Sequence, residues 1–271
     1  LLASFLVTGS ISWLYYSDRL MEFPLGVFGI AVATVMLPSL SEEHARESPE
    51  GFTAMLDWAL RLVLLIGLPA ALGLILLAEP LLATIFFGGA FTRLDVTMAT
   101  ASLIAYAFGL LGFILVKVLA TGFFSRQDTR TPVRIGVIAL VLNMGLNVVF
   151  VVSLVRSGYA APHAGLAAAT TISALVNASL LLRGLQRAGV YRASAGWTAY
   201  AGRIGAASIV MALAVYWMRL QFGAWTGLEL GMRITGVAAC VATGIVVYFG
   251  SLYLVGLRPS SLRAQRPSWP L

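Results

Sequence analysis

Charge and cysteine are scarce in this chain of 271 residues. Charged residues make up 11% of it, whereas a typical soluble domain carries about 25%. Hydrophobic residues make up 59%, so the chain has too little polar surface to face water on all sides, which excludes an ordinary soluble fold. Cys240 is the only cysteine, which excludes a disulfide within the chain and a thiolate metal cluster.

Signals for catalysis are also missing. The sequence contains no His-Glu-x-x-His pattern, no phosphate-binding glycine loop and no nucleophile elbow. The two histidines, His44 and His163, fall in expected loops, so a nucleophile–base pair is hard to assemble. We therefore expect no enzymatic activity and no firm metal site. The net charge of +7 is spread between apolar runs, without the dense basic patch typical of nucleic-acid binding.

Long apolar runs dominate the sequence. About 20 apolar residues in a helix cross a bilayer core about 30 Å thick, and the runs lack the alternation typical of strands. The predicted fold class is all-α: a polytopic transmembrane helical bundle of about eight helices. The expected segments are 1–16, 21–40, 57–78, 95–122, 133–155, 164–186, 200–219 and 232–256.

The arginines favour one orientation in the membrane. Summed over alternate loops, twelve lie on one side and five on the other, and the positive-inside rule places the larger group in the cytoplasm. The smaller group comprises Arg19, Arg93, Arg156, Arg219 and Arg233. The larger group includes the tail residues Arg258, Arg263 and Arg266, so we expect a cytoplasmic carboxy terminus. The chain starts within an apolar stretch and without an initiator Met, which favours a fragment cut inside a transmembrane helix.

Three charges lie between the first two apolar runs: Asp18, Arg19 and Glu22. Their spacings of three and four would bring them together on a helical turn. A charge at membrane depth is costly unless it is paired or faces water. One interpretation places Arg19 in a polar cavity, where its guanidinium binds an anionic group bidentately while Asp18 or Glu22 holds it. The alternative is a plain periplasmic turn with a local ion pair.

Polar residues inside the later helices also need an explanation. Lys117, the only lysine, either lines a cavity as a cation or extends to the cytoplasmic headgroups. Asn143 and Asn147 share a helix face. Their oxygens could ligate a hard cation, although hydrogen bonding between helices is the commoner use of Asn in membranes. Under either interpretation their partners would be Thr170, Thr171 and Asn177.

The loop 123–132 is expected to be cytoplasmic. It contains Arg126 and Asp128, followed by Thr131 and Pro132. One interpretation makes Arg126 and Asp128 a cytoplasmic gate or a headgroup contact. The other makes the loop a basic topological signal whose Thr-Pro pair starts the next helix.

Several of these stretches resemble the MurJ/MviN family of lipid II flippases. They are 15–29 (YYSDRLMEFPLGVFG), 37–41 (LPSLS), 115–120 (LVKVLA) and 124–133 (FSRQDTRTPV). The resemblance spans nearly the whole chain, although the last 80 residues resemble the family mainly by hydropathy. It implies a fourteen-helix protein of the multidrug/oligosaccharidyl-lipid/polysaccharide exporter superfamily. In such a protein two six-helix lobes surround a central cavity, and two further helices follow. Residues 1–190 would then form the second lobe, and 191–271 the last two helices and a cytoplasmic tail.

The family resemblance also implies a function. The chain would be part of an alternating-access flippase that moves lipid II, the undecaprenyl-pyrophosphate-linked peptidoglycan precursor, across the bacterial inner membrane. Arg19 matches the family's cavity arginine in this lobe, with Asp18, Glu22 and Lys117 as further substrate-binding candidates. The implied partners are lipid II, membrane lipids, an amino-terminal lobe and the cell-wall synthesis machinery. No cofactor is expected, and coupling to Na⁺, to protons or to the membrane potential stays open.

Two other functions remain as alternatives. One is a related exporter of the same superfamily, either a polysaccharide-lipid flippase or a drug/cation antiporter. Basic cavity residues favour an anionic lipid over a cationic drug. The other is a non-transporting scaffold of the cell envelope, in which Arg19 and Lys117 would need another purpose.

Overall fold

The computed structural model describes residues 2–257, and its long elements within that range are all helices. This confirms the predicted all-α membrane bundle. The tail arginines Arg258, Arg263 and Arg266, and with them the predicted cytoplasmic tail, lie outside the described residues. The helices are α1 (Ser10–Pro24), α2 (Ala31–Ala45), α3 (Pro49–Leu76), α4 (Ala78–Ile85), α5 (Arg93–Ala107), α6 (Leu110–Phe124), α7 (Arg130–Arg156), α8 (Ala164–Arg187), α9 (Trp197–Leu220) and α10 (Leu230–Leu254).

The two predicted segments 1–16 and 21–40 are wrong as separate spans. A π-helical segment, Leu25–Ile30, joins α1 to α2, so that Ser10–Ala45 forms one span of 36 residues. Ser17, in the middle of the predicted turn, is fully buried and donates to the Ala99 carbonyl oxygen at 2.7 Å. The charges therefore do not mark a turn, since they lie along a helix that packs against α5. The described residues contain six candidate spans, or seven if a bent pair counts as one.

The bent pair is α5 and α6, which were predicted as one helix over 95–122. Their axes differ by 41° at the break around Gly109. A Cβ on Gly109 would lie 2.6 Å from the Thr171 hydroxyl oxygen, so α8 approaches too closely for any side chain there. The Thr171 hydroxyl donates to the Ala105 carbonyl oxygen at 2.6 Å and so binds α8 to the last turn of α5.

The short helix α4 and the turn after it were not predicted. Helix α3 also starts earlier than the expected residue 57, because Pro49 takes a first-turn position and the Ser48 hydroxyl accepts from the Gly51 amide. Within the bundle, α8 packs against α5, α6 and α7, whereas α9 and α10 pair with each other and dock on α3 and α4. The division of the chain at residue 190 stays a prediction.

Candidate functional site

Arg19 and Glu22 form an ion pair on α1. Their Nη1 and Oε2 atoms are 2.7 Å apart, and both side chains are about half exposed, at 55% and 48%. The Arg19 guanidinium also lies 5.0 Å from the centroid of the Tyr15 ring. Asp18 is half-buried, and Arg19 makes its ion pair with Glu22, so Glu22 is the carboxylate that holds Arg19. The pair is accessible, and an anion could compete for the guanidinium.

Lys117 extends from α6 towards the π-helical segment. Its side chain is exposed, and a Cβ added to Gly29 would meet Lys117 Cδ at 3.5 Å. The lysine stem thus lies close to the face of the π-helical segment that carries Gly29. Among the described residues Lys117 has no hydrogen bond and no ion pair, so its ammonium is uncompensated. Leu25 and Gly29 lie on the same side of the helix as Asp18 and Glu22. Leu25 is about one turn after Glu22, and Gly29 is about two turns after it.

A cavity of about 370 Å³ lies beside Lys117, between the π-helical segment and helices α6, α7 and α8. Leu25 closes one side of it. Its walls are mostly apolar, with Phe113, Val116, Ala139 and Leu140 among them. The polar residues that line it are Lys117, Asn143, Thr170, Ser173 and Asn177.

The predicted asparagine pair connects α7 to α8. Asn147 Nδ2 donates to Asn143 Oδ1 at 2.9 Å, and Asn143 Nδ2 donates to the Thr170 hydroxyl at 3.4 Å. Thr170 donates in turn to the Leu166 carbonyl oxygen at 2.9 Å. The arrangement supplies the interhelical hydrogen bonding that was one of the two interpretations. Cation binding by Asn143 and Asn147 stays a prediction.

The loop between α6 and α7 holds the two predicted gate residues. Asp128 Oδ1 accepts from the Thr131 amide at 3.0 Å at the start of α7, and this hydrogen bond lowers the pKa of the Asp128 carboxyl. Arg126 lines a second cavity of about 320 Å³ together with Glu43, His44 and Glu47. Within this loop Asp128 therefore binds the start of α7, whereas Arg126 faces the second cavity. A gating role for the two residues stays a prediction.

Asp57 is a buried charge that the sequence analysis missed. Its carboxylate accepts from Arg61 Nε at 2.8 Å on its own helix. It also accepts from the Tyr191 hydroxyl at 2.8 Å, the Ser194 hydroxyl at 2.6 Å and Trp197 Nε1 at 2.6 Å. The carboxylate thus ties α3 to the connection after α8 and to α9. Sequence did offer one signal, because Asp57 and Arg61 are four residues apart at the edge of an apolar run.

His163 occupies a buried position at the opposite end of the bundle. It is fully buried, and its Nε2 atom donates to the Met98 carbonyl oxygen at 3.1 Å, while Nδ1 has no partner. The ring packs on Trp13 at a centroid distance of 4.9 Å, and Trp13 Nε1 donates to Asp95 at 2.6 Å. Burial lowers the pKa of His163, because removal from water disfavours the charged form of the ring.

This geometry predicts a loss of stability in mild acid. The unfolded chain takes up a proton near the ordinary histidine pKa of about 6.5, while folded His163 resists it. The neutral ring therefore contributes its full stability above about pH 6.5, and the contribution falls as the pH drops towards the lowered pKa. Melting temperatures of the purified chain at pH 7.5 and 5.5 should show a larger drop for wild type than for His163→Gln, which cannot titrate. Equal drops in the two proteins would contradict the assignment.

Comparisons with known proteins agree on one family. A family model described as "Lipid II flippase MurJ" matches residues 1–235. A probable lipid II flippase MurJ of Vibrio cholerae is 46% identical over 262 residues, which cover 97% of this chain and 49% of that protein. The lipid II flippase MurJ of Burkholderia cenocepacia is 39% identical over 264 residues, which cover 97% and 50%.

The fold is also similar to a solved structure. A "Lipid II flippase MurJ, inward closed conformation" superposes with a TM-score of 0.75 at 25% sequence identity, covering 93% of this chain and 48% of that one. The chain spans about half the length of the curated relatives and of the solved structure that it matches.

Proposed function

This chain belongs to the lipid II flippase MurJ family, and from that membership we propose that it forms the second lobe and the last two helices of a lipid II flippase. The observation that carries the proposal is that two exposed cationic side chains, Arg19 on α1 and Lys117 on α6, lie within the apolar helices of this lobe rather than at their ends. Two cations on a membrane lobe suit an anionic lipid headgroup better than a cationic drug.

The two cations would act differently on a pyrophosphate. The Arg19 guanidinium presents a planar fork that binds phosphate oxygens bidentately, and Glu22 holds that fork in place until the anion displaces it. Lys117 supplies a compact charge on a flexible stem. Alternating access then moves the bound headgroup between the two leaflets as the lobes rock against each other.

The proposed function also implies a location, an orientation in the membrane, partners and an energy source. The protein would lie in the bacterial inner membrane with its carboxy terminus in the cytoplasm, and an amino-terminal lobe would complete the cavity. The cell-wall synthesis machinery would use the translocated precursor. Helices α9 and α10 would border the undecaprenyl tail. Coupling to Na⁺, to protons or to the membrane potential would supply the free energy for the cycle.

Binding of the substrate lipid tests the proposal. Arg19→Ala in the purified chain, reconstituted in lipid nanodiscs, should weaken binding of both lipid II and undecaprenyl pyrophosphate about 10- to 100-fold, the range for losing a charged hydrogen bond. Arg46→Ala is the matched control, since Arg46 forms a similar exposed ion pair with Glu42 at the far end of the same span. Native mass spectrometry measures both affinities. Unchanged affinity in Arg19→Ala would contradict the role of Arg19.

A further inference from the structure

The cavity beside Lys117 contains buried polar atoms that the fold leaves without partners. Ser173 is 6% exposed, and its hydroxyl oxygen has no hydrogen-bond partner. Asn177 Oδ1 is also buried and unpartnered. The two residues are four apart on α8 and therefore share one face of that helix, and both line the cavity.

Other hydroxyl groups on α8 show that this is not a general property of the helix. Thr170 donates to the Leu166 carbonyl oxygen at 2.9 Å, and Ser179 donates to the Leu175 carbonyl oxygen at 2.8 Å, each one turn earlier. Ser173 makes no such bond. Buried polar atoms in native proteins nearly always have a partner. The Ser102 and Ser208 hydroxyls are also buried without one, but of these three serines only Ser173 lines the cavity, where a bound group can supply the partner.

The donors and acceptors define the chemistry of that group. Asn177 Oδ1 offers an acceptor, Ser173 offers a donor and an acceptor, and Lys117 adds donors with a positive charge. A free cation beside Ser173 and Asn177 fits poorly, because Lys117 would repel it and no carboxylate lines the cavity within the described residues. A bare anion can accept from Ser173 and Lys117, but it has no proton to donate and so leaves Asn177 Oδ1 without a partner. The best match is an uncharged group with hydroxyl or amide N–H donors that adjoins an anion.

We propose that this cavity is a carbohydrate subsite, in which Ser173 and Asn177 bind hydroxyl or acetamido groups of the sugar next to the pyrophosphate. The inference rests on the proposed function, since it assigns part of the same lipid to the cavity. A volume of about 370 Å³ lies at the small end of the range for ligand sites and suits a single sugar ring. Lys117 would then lie between the sugar and its phosphate.

A double variant separates the sugar from the rest of the lipid. Ser173→Ala with Asn177→Leu should weaken binding of lipid II about 10-fold and leave binding of undecaprenyl pyrophosphate unchanged, because the latter has the same tail and pyrophosphate but no sugar. The variant should fold as well as wild type, since it removes polar groups that were buried without partners. Ser179→Ala, on the exposed side of the same helix, should change neither affinity.

The outcomes distinguish the two proposals. If the double variant weakens neither lipid, or weakens both equally, the subsite is overturned while the lipid-binding function stands. If Arg19→Ala loses both lipids and the double variant loses only lipid II, both proposals are supported. If wild type binds neither lipid in the nanodisc, both proposals fall together. An unfolding temperature of the double variant well below that of wild type would also contradict the subsite, because it would show that Ser173 and Asn177 contribute to the fold.

Discussion

Replacing Asp57 by alanine is expected to destabilise the fold by about 3–5 kcal/mol, the usual cost of removing one partner from a buried ion pair. Asp57 is 6% exposed, and Arg61 Nε lies 2.8 Å from its Oδ2 atom. Alanine at this position would leave that guanidinium without its carboxylate. It would also leave the buried Tyr191 hydroxyl and the Trp197 N–H without an acceptor, and each such loss adds to the cost.

The effect should extend to the last two helices. Arg61 contacts Trp197 and Tyr200 of α9 through its guanidinium, at 5.1 and 5.0 Å from their ring centroids. Tyr200 also donates to the Arg61 carbonyl oxygen at 3.0 Å. Because Asp57 holds the Arg61 guanidinium in position, the loss of the Asp57 carboxylate should weaken the packing of α9 against α3. We therefore expect faster proteolysis within the connection 188–196 as well as a lower free energy of unfolding.

Denaturant titration of the purified chain in detergent measures the change in stability. Asp57→Asn is the informative second variant: it keeps the shape and one acceptor oxygen, and should cost less, about 1–3 kcal/mol. Glu42→Ala removes the carboxylate of an exposed ion pair and should cost less than about 1 kcal/mol. A loss in Asp57→Ala as small as that in Glu42→Ala would show that the carboxylate does not hold α3 to α9.

The sequence predicted the helices well where hydropathy alone decides them. The ranges 133–155, 164–186, 200–219 and 232–256 match α7, α8, α9 and α10 to within a few residues, since the ends of these apolar runs coincide with charges, Gly or Pro. The first two segments failed because charge was treated as a sign of a turn. Arg19 and Glu22 instead pair along a continuous helix, and only the burial of Ser17 against α5 reveals that the backbone does not break there.

Some residues of the candidate site could be predicted from the sequence, and others could not. Arg19, Lys117 and the asparagine pair were predicted because each is a polar exception in an apolar run, which sequence displays directly. The Asp57 cluster was not, because Tyr191 and Trp197 lie 134 and 140 residues away in the chain. Ser173 was missed for another reason: a serine in a membrane helix usually donates to a carbonyl one turn back, and only coordinates show that this one does not.

Arg233 shows the limit of counting charges. It was counted as one of the five arginines outside the cytoplasm, but the structure buries it to 9% exposure in the first turn of α10. Its guanidinium donates to the carbonyl oxygens of Leu228 at 2.8 Å, Ala83 at 2.7 Å and Phe87 at 3.4 Å. Two of these acceptors belong to the carboxy-terminal end of α4 and the turn after it, where helix carbonyls lack partners of their own. Arg233 thus caps α4 from a neighbouring helix.

Replacing Arg233 by leucine is therefore expected to destabilise the chain by about 3 kcal/mol, because it leaves buried carbonyl groups without a donor. Arg233→Lys should recover only part of this loss, since an ammonium cannot reproduce the planar fork that reaches three carbonyls. Arg156→Leu is the control: Arg156 is exposed in the last turn of α7, where a cation contributes at most about 1 kcal/mol through the helix dipole.

The order of the three variants in the same denaturant titration decides the role of Arg233. We expect Arg233→Leu to have the lowest free energy of unfolding, Arg233→Lys an intermediate one and Arg156→Leu the highest of the three. If Arg233→Lys were as stable as wild type, the positive charge of Arg233 alone would account for its contribution, and the planar guanidinium would not be required. A cation in the first turn of α10 is unfavourable for that helix, whose amino terminus is already positive. The carboxy-terminal end of α4 explains the position of Arg233, because its carbonyl groups supply a negative partial charge. Through these hydrogen bonds Arg233 holds the end of α4 against α10.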